Sequence, residues 1–344
     1  MTKWTLSNKQ LFLFLFILQT GTVFISVQSR VIKAAEQNSW LIFIAVSLFH
    51  LFILHIFNKY YKYFQLNKFE KWLYQIYWYT IVVTFLAYID FILEVWAFPQ
   101  TPAYIVISLM VIVSLYANLS KYAVALNISV ILIPFIVIFL AMLSLATKDL
   151  IWTNLFPFGQ IDSKQWIDGV GQTMYAFIGI EAFLILRPFV EDKKELKFRS
   201  IALYQLILTL FFVITILYVL LFFSLEEIKI IPVTIMYLLK SQEITFLQRL
   251  DLFFTYIWMT WSVISVVLFM FLGLSLYKTM YTRSIKFTVF IHFLVSILPL
   301  FLITRELVKK SHDILMYGHY FFGLLFPLFI MLKGWRKSLR EKKV

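Results

Sequence analysis

Gln19-Thr20-Gly21-Thr22 sits in the middle of an apolar run from Asn8 to Ile32, and Phe177-Ile178-Gly179-Ile180-Glu181 sits in the middle of another, from Asp168 to Val190. About 20 apolar residues wound as a helix cross ~30 Å of hydrocarbon, and both runs are that long. At such depth every backbone polar group needs a partner within the protein. A glycine flanked by hydroxyls or a carboxylate is a place where a helix can open and leave peptide groups free. Glycine in a membrane helix also serves close packing. What favours an opening is that the two glycines occupy matching positions once the whole chain is divided.

Working outward, apolar runs of membrane length recur from end to end. They are expected at Asn8–Ile32, Trp40–Asn58, Trp72–Phe98, Thr101–Leu119, Tyr122–Ala146, Asp168–Val190, Phe198–Ser224, Asp251–Tyr277, Phe287–Thr304 and Ile314–Leu332. Ten spans divide into five and five. An odd number per half inverts the second half relative to the first, which is the arithmetic of inverted-repeat transporters and pairs the first span with the sixth. The expected fold is therefore an all-α polytopic membrane protein of about ten transmembrane helices. It is a 5+5 inverted repeat with broken helices 1 and 6. No linker rich in Gly, Ser or Pro divides residues 1–344, so a single membrane domain is expected, with repeat one at about 8–146, repeat two at about 168–332 and a basic tail at 333–344.

Composition agrees. The chain is 62% hydrophobic, carries 38 phenylalanines and is only 14% charged, too few charges to coat a soluble body of 344 residues. Alternating β-barrel patterning is absent. There is no cysteine, which excludes disulfides and thiolate metal sites. Met1–Lys9 is not strongly basic and no Ala-x-Ala follows the first run, so the first helix is expected to be retained. The net charge of +13 does not point to nucleic acid, because its distribution follows topology. With a cytoplasmic N-terminus, 21 of the 31 Lys and Arg fall on the inner side, so both termini are expected in the cytoplasm.

Two expected outer segments are long. Thr147–Ile167 carries Trp152, Pro157 and Trp166, and in Leu225–Gln248 Pro232 is followed by Val233 to Lys240, which reads as a short helix lying on the outer surface.

Asp90, Glu94 and Glu181 are the carboxylates inside these apolar spans. A charge at bilayer depth costs roughly 2.5–3.5 kcal/mol on insertion scales, so such groups line cavities or find partners. Asp90 is expected to face the bundle interior and Glu94 to be solvated near the interface. Glu181 either caps the second half-helix or couples transport to a proton. A helix N-terminus opened near Gly21 favours a carboxylate, and unwound carbonyls favour an ammonium or a cation. Together the two openings suit a zwitterion such as a free amino acid.

The histidines His50, His55, His292 and His319 show no metal-ligand spacing and read as packing or interface residues. Ser262 and Ser265 could contribute to a cation site, although serine in a membrane helix usually bonds its own i−4 carbonyl. No catalytic set of Ser, His and acid and no phosphate loop is present. An enzyme is not expected, and no cofactor or metal is implied.

Several stretches resemble the spore germination permease family, the B subunit of nutrient germinant receptors, within the amino acid–polyamine–organocation superfamily. They are Gln19-Thr20-Gly21-Thr22 with Ser29-Arg30, Phe98-Pro99-Gln100-Thr101-Pro102, Asn154-Leu155-Phe156-Pro157, Phe177-Ile178-Gly179-Ile180-Glu181 with Arg187-Pro188-Phe189, and Arg249-Leu250-Asp251 with Trp258. Gln248 departs from the glutamate common in the family before that arginine. The resemblance implies broken first and sixth helices and a place in the spore inner membrane. It further implies assembly with an A subunit and a lipoprotein C subunit, and sensing of a small nutrient, commonly an amino acid. On that basis the ligand carboxylate is expected at the amides around Gly21, Thr22 and Val23 and its amine at the carbonyls around Phe177 and Ile178, with Thr20 and Gly179 also in the ligand-binding set. Tyr88, Tyr175 and Trp258 are candidates for side-chain specificity, with Asp90 and Glu181 as coupling or helix-break supports. A proton- or cation-coupled amino-acid transporter and a purely structural subunit are the alternatives.

Overall fold

A computed structural model describes residues 5–120, 127–157, 159, 160, 162–191, 196–242, 249–281 and 284–341. Among them there is no β-strand, only an isolated parallel bridge between Leu6 and Val190. Among the described residues, seven helical stretches are long and apolar enough to cross a membrane: 24–63, 68–96, 129–149, 163–189, 198–222, 250–280 and 305–341. Two shorter apolar helices, Ala103–Leu119 and Ile285–Phe301, accompany them. The protein is therefore an all-helical membrane protein.

The helices are α1 (Asn8–Thr20), α2 (Phe24–Ala35), α3 (Ser39–Tyr60), α4 (Lys68–Trp96), α5 (Ala103–Leu119), α6 (Leu132–Ser144), α7 (Ser163–Met174) and α8 (Ala182–Leu186). They continue as α9 (Phe198–Phe222), α10 (Leu225–Ile230), α11 (Thr234–Lys240), α12 (Leu250–Met280), α13 (Ile285–Ile297), α14 (Arg305–Gly318) and α15 (Phe326–Glu341). Four of them start on reciprocal caps in which a side chain bonds the third helical N–H and that residue bonds back: Ser7 with Gln10, Asn67 with Glu70, Asp162 with Gln165 and Ser224 with Glu227.

Both glycine stretches interrupt their helices. Residues 21–23 separate α1 from α2 as a turn. Between α7 and α8 the chain tightens into a 3-10 turn at Tyr175–Phe177, extends at Ile178 and takes a positive φ of 97° at Gly179. Only glycine adopts that conformation without steric cost. The bonds through this second break run three residues back, from Ile180 N–H to the Phe177 carbonyl and from Ala182 N–H to that of Gly179.

The long helix α12 lies against α1, α4, α5, α6 and α11, and shares its largest interface with α4. Its apolar neighbours include stacked and tilted rings around Trp261, Phe16, Phe24 and Phe211. Lipid offers no hydrophobic drive between helices, so such close ring packing supplies the cohesion. Large apolar side chains left on the outside, among them Phe52, Ile112, Tyr116 and Phe293, suit a lipid surround.

Two ends can be told apart. Leu6 meets Val190, the Arg187 guanidinium lies over the Tyr61 ring, and α15 crosses the turn at Tyr63, so residues 6, 61–63, 187–190 and 334 share one end. The opposite end gathers the turn at Glu36 and the starts of α7 and α14.

Two expectations differ in detail. The tenth span, expected at Ile314–Leu332, is helical from Arg305 to Glu341, with a π-helical turn at His319–Leu325. Thr304 caps that earlier start by accepting the Leu307 N–H. The short helix after Pro232 does not lie on the surface. Ile235, Met236, Leu238 and Leu239 are buried, and the Thr234 hydroxyl and the Ser29 hydroxyl are 3.0 Å apart. The hydroxyl pair and the apolar face together draw the segment in against α2 and α12. The fifth span is described only from Asn127 onward, and Gln248 lies outside the described residues.

Candidate functional site

The two breaks touch each other. The Gln19 amide donates to the Phe177 carbonyl at 3.3 Å and accepts from the Tyr204 hydroxyl. Leu18 lies beside Gly179. On the other side Gly21 packs on α12. A β-carbon built there would come within 2.5 Å of the Ser265 β-carbon, so only glycine permits this approach. The Thr22 and Ser265 hydroxyls are 3.1 Å apart, and the Ser262 hydroxyl donates to the Gly21 carbonyl at 3.4 Å. Ser265 also donates to the Ser262 carbonyl, three residues back on its own helix.

The peptide groups here are only partly free. Gly21 N–H donates to the Ile17 carbonyl at 2.8 Å, and the Thr20 hydroxyl bonds the Phe16 carbonyl. The Val23 carbonyl takes both the N–H and the hydroxyl of Ser26. The Phe177 carbonyl is taken by Gln19 and Ile180. Around Gly21 and Gly179 the space is filled by Ser265, Leu18 and Phe269, so the two breaks meet through packed side chains here and not across an open chamber.

Glu181 follows the second break and is fully buried. Trp78 of α4 donates its indole N–H to Oε1 at 2.8 Å, and the N–H groups of Gly179 and Glu181 lie beside the carboxylate. Oε2 is buried with no hydrogen-bond partner. A carboxylate at the start of a half-helix satisfies orphan donors, which is the capping role. Its unpartnered oxygen leaves room for a proton or a polar guest.

The open volume lies about two turns further along the bundle. A cavity of about 970 Å³ sits among α2, α4, α7, α14 and the α10–α11 turn, lined by six Lys or Arg and four Asp or Glu. Its floor is ordered around Arg30. The guanidinium donates from Nε to Gln172 at 2.8 Å and from Nη2 to Asp313 at 2.8 Å, and lies 4.9 Å from the centre of the Tyr175 ring. Three helices are thus tied by one side chain, through charge-assisted bonds and a cation–π contact. Tyr88 and Ser26 face the same cavity, and His312 packs edge-on against Tyr88 with ring centres 4.6 Å apart.

The expected site residues therefore fall into two groups. Thr20, Gly21, Thr22, Val23, Phe177, Ile178 and Gly179 form the meeting point of the breaks, with Glu181 behind it. Tyr88, Tyr175 and Trp258 lie toward the vestibule. Tyr175 and Trp258 are fully buried, and Tyr88 meets Trp258 edge-on at 6.3 Å. Asp90 is buried and its carboxylate makes no hydrogen bond or ion pair among the described residues, while Glu94 on the same helix is exposed. Asp251, in the Arg249-Leu250-Asp251 stretch, takes two bonds from Arg249 at 3.0 and 2.8 Å.

Arg30, Gln172, His312 and Asp313 were not among the expected ligand residues, nor was Gln19. Arg30 lies two residues before the expected end of the first span, where a cation reads as an ordinary interface charge, so its partners on α7 and α14 left no signal in the sequence. The buried contact between His50 and His319, with Nε2 atoms 3.2 Å apart and His50 stacked on Phe177, was also not foreseen.

The family model described as spore germination protein, the spore permease family, matches residues 5–314. No curated protein matches the chain.

Proposed function

The chain belongs to the spore germination protein family, and from that membership we propose that it is the nutrient-sensing membrane subunit of a spore germinant receptor, built on a transporter-like scaffold. The observation that carries this reading is the alignment of a vestibule of mixed charge, floored by Arg30, with two interrupted helices that meet beneath it. Mixed charge suits a small zwitterion, and the nutrient is a free amino acid. It enters past Arg30 and Asp313 and settles between the breaks as Gly21 and Ser265 part. Its carboxylate then faces the Thr22 and Val23 amides and its amine the Ile178 carbonyl, with Tyr88, Tyr175 and Trp258 setting side-chain preference. Binding to the parted arrangement shifts the bundle toward it by the difference in affinity between the two states. The A subunit and the lipoprotein C subunit receive that shift at the spore inner membrane.

The scaffold in this reading has ten crossings in two inverted halves. It is supported by the paired breaks, by the two shorter apolar helices beside the seven long stretches, and by Leu6 and Gly334 lying at one end. Both termini face the cytoplasm, in keeping with the basic residues there. Spores whose only nutrient receptor contains this chain are expected to germinate on at least one amino acid and to fail when the chain is deleted. Unchanged nutrient responses after deletion would remove the proposal.

A specific observation also favours a second reading, a proton- or cation-coupled amino-acid transporter. It is the buried, unpartnered Oε2 of Glu181. Gradient-driven accumulation of labelled amino acid in vesicles, lost in Glu181→Gln, would establish transport. Saturable binding without accumulation is the outcome expected of a sensor.

A further inference from the structure

An apolar slot of about 240 Å³ opens between the last turn of α3 and the middle of α15, lined by Ile56, Tyr60, Leu328, Met331, Leu332 and Trp335. It lies at the end of the bundle that carries Leu6, Tyr61 and Gly334, on the opposite side from the vestibule. On α3 the two lining residues are four apart. On α15 they fall at positions 328, 331, 332 and 335, one face of a helix. Tyr60 and Trp335 are amphipathic rings of the kind that sit at headgroup level. They mark the mouth of the slot, with Ile56 and Leu328 about one and two turns deeper.

Each wall also carries an exposed cation next in sequence to its lining ring. Lys59 precedes Tyr60, and its ammonium lies 5.4 Å from the Tyr60 ring centre. Arg336 follows Trp335, one turn on from Leu332. Both are exposed. Neighbouring Lys333 is already paired with Glu70 at 3.1 Å. Two exposed cations, each adjacent in sequence to one of the two aromatic rings of a narrow apolar cleft, match a molecule with an anionic head and an extended hydrocarbon chain.

We infer that this slot is a binding site for an anionic phospholipid of the adjoining leaflet, with one acyl chain between α3 and α15 and the phosphate between Lys59 and Arg336. The occupant wedges the C-terminal helix against α3. The helix following the π-helical turn at His319–Leu325 is thereby coupled to the lipid around it. This site is separate from the nutrient site and does not depend on that proposal.

The test is native mass spectrometry and thermal unfolding of the full-length chain in detergent supplemented with phosphatidylglycerol or phosphatidylcholine. Phosphatidylglycerol is expected to remain bound and to raise the unfolding temperature, and phosphatidylcholine is not. Lys59→Ala with Arg336→Ala is expected to weaken phosphatidylglycerol binding roughly 30-fold, at about 1 kcal/mol per basic residue. Leu328→Trp, which fills the slot and leaves the charges, is expected to abolish it. Lys68→Ala, a cation at the same end but away from the slot, is expected to bind as wild type. Equal retention of both lipids, or equal weakening by Lys68→Ala, would overturn the site. So would a photo-crosslink from position 335 to a partner subunit in place of lipid.

Discussion

Replacing Gly21 with valine is expected to abolish the nutrient response while leaving the chain in the membrane. Replacing Ser265 with glycine in the same chain is expected to restore part of it. A β-carbon at position 21 would fall 2.5 Å from the Ser265 β-carbon and 2.6 Å from its hydroxyl, inside any tolerable contact. Overpacking of this kind typically costs about 1–3 kcal/mol, met by displacement of the surroundings. Here the surroundings are α12, the helix against which the first break closes. Removing the Ser265 side chain clears two of the three close atoms. The Ile17 carbonyl, at 2.9 Å, remains, so the rescue is partial. Spore germination, read with immunoblots of membrane abundance, checks this. A valine variant that responds at the wild-type nutrient concentration would place the break outside the mechanism.

The second large effect is expected at the vestibule floor. Arg30 holds Gln172, Asp313 and Tyr175 together at 16% side-chain exposure, so its bonds are only partly screened. A hydrogen bond to a charged group contributes about 1.5–3 kcal/mol, and partial exposure of Asp313 reduces that to about 1–2 kcal/mol. Asp313→Ala is therefore expected to shift the nutrient concentration for half-maximal germination by about tenfold. Arg30→Lys is expected to behave like a loss and not as a conservative change. A single ammonium cannot donate along two directions of a planar fork while lying on the Tyr175 ring. Dose–response curves of spores carrying each variant decide it. Curves that overlay the wild type for both would separate the vestibule from sensing.

Much of the architecture was legible because it rests on local chemistry. Apolar runs of bilayer length announce membrane helices without any knowledge of tertiary contacts. Gly21 and Gly179 stood out because each breaks such a run beside polar residues, and the positive φ at Gly179 shows why that position is glycine. The interior placement of Asp90 followed from the same logic of costly buried charge. What stayed hidden depends on residues far apart in sequence. Arg30 meets Gln172 across 142 positions and Asp313 across 283. Gln19 joins Tyr204, and His50 joins His319, over similar separations. Each of these looks unremarkable alone, as an interface charge or an amide near a span. The inward tuck of Thr234–Lys240 was missed for the same reason, since its hydroxyl partner is Ser29. The packed state of the space between the breaks was equally out of reach. Glycine spacing reports where a helix can open, and the neighbouring side chains decide whether the gap is filled.

The most direct measurement is the unfolding temperature of the purified chain, alone and with the proposed A and lipoprotein C subunits, across a panel of amino acids and sugars. A ligand bound only by the folded state at a hundred times its Kd adds about 2.7 kcal/mol of stability. The account predicts a concentration-dependent rise for at least one zwitterionic amino acid, lost when Arg30 or Gly21 is changed as above. No shift with any amino acid at millimolar concentration, in the presence of intact partners, would contradict it.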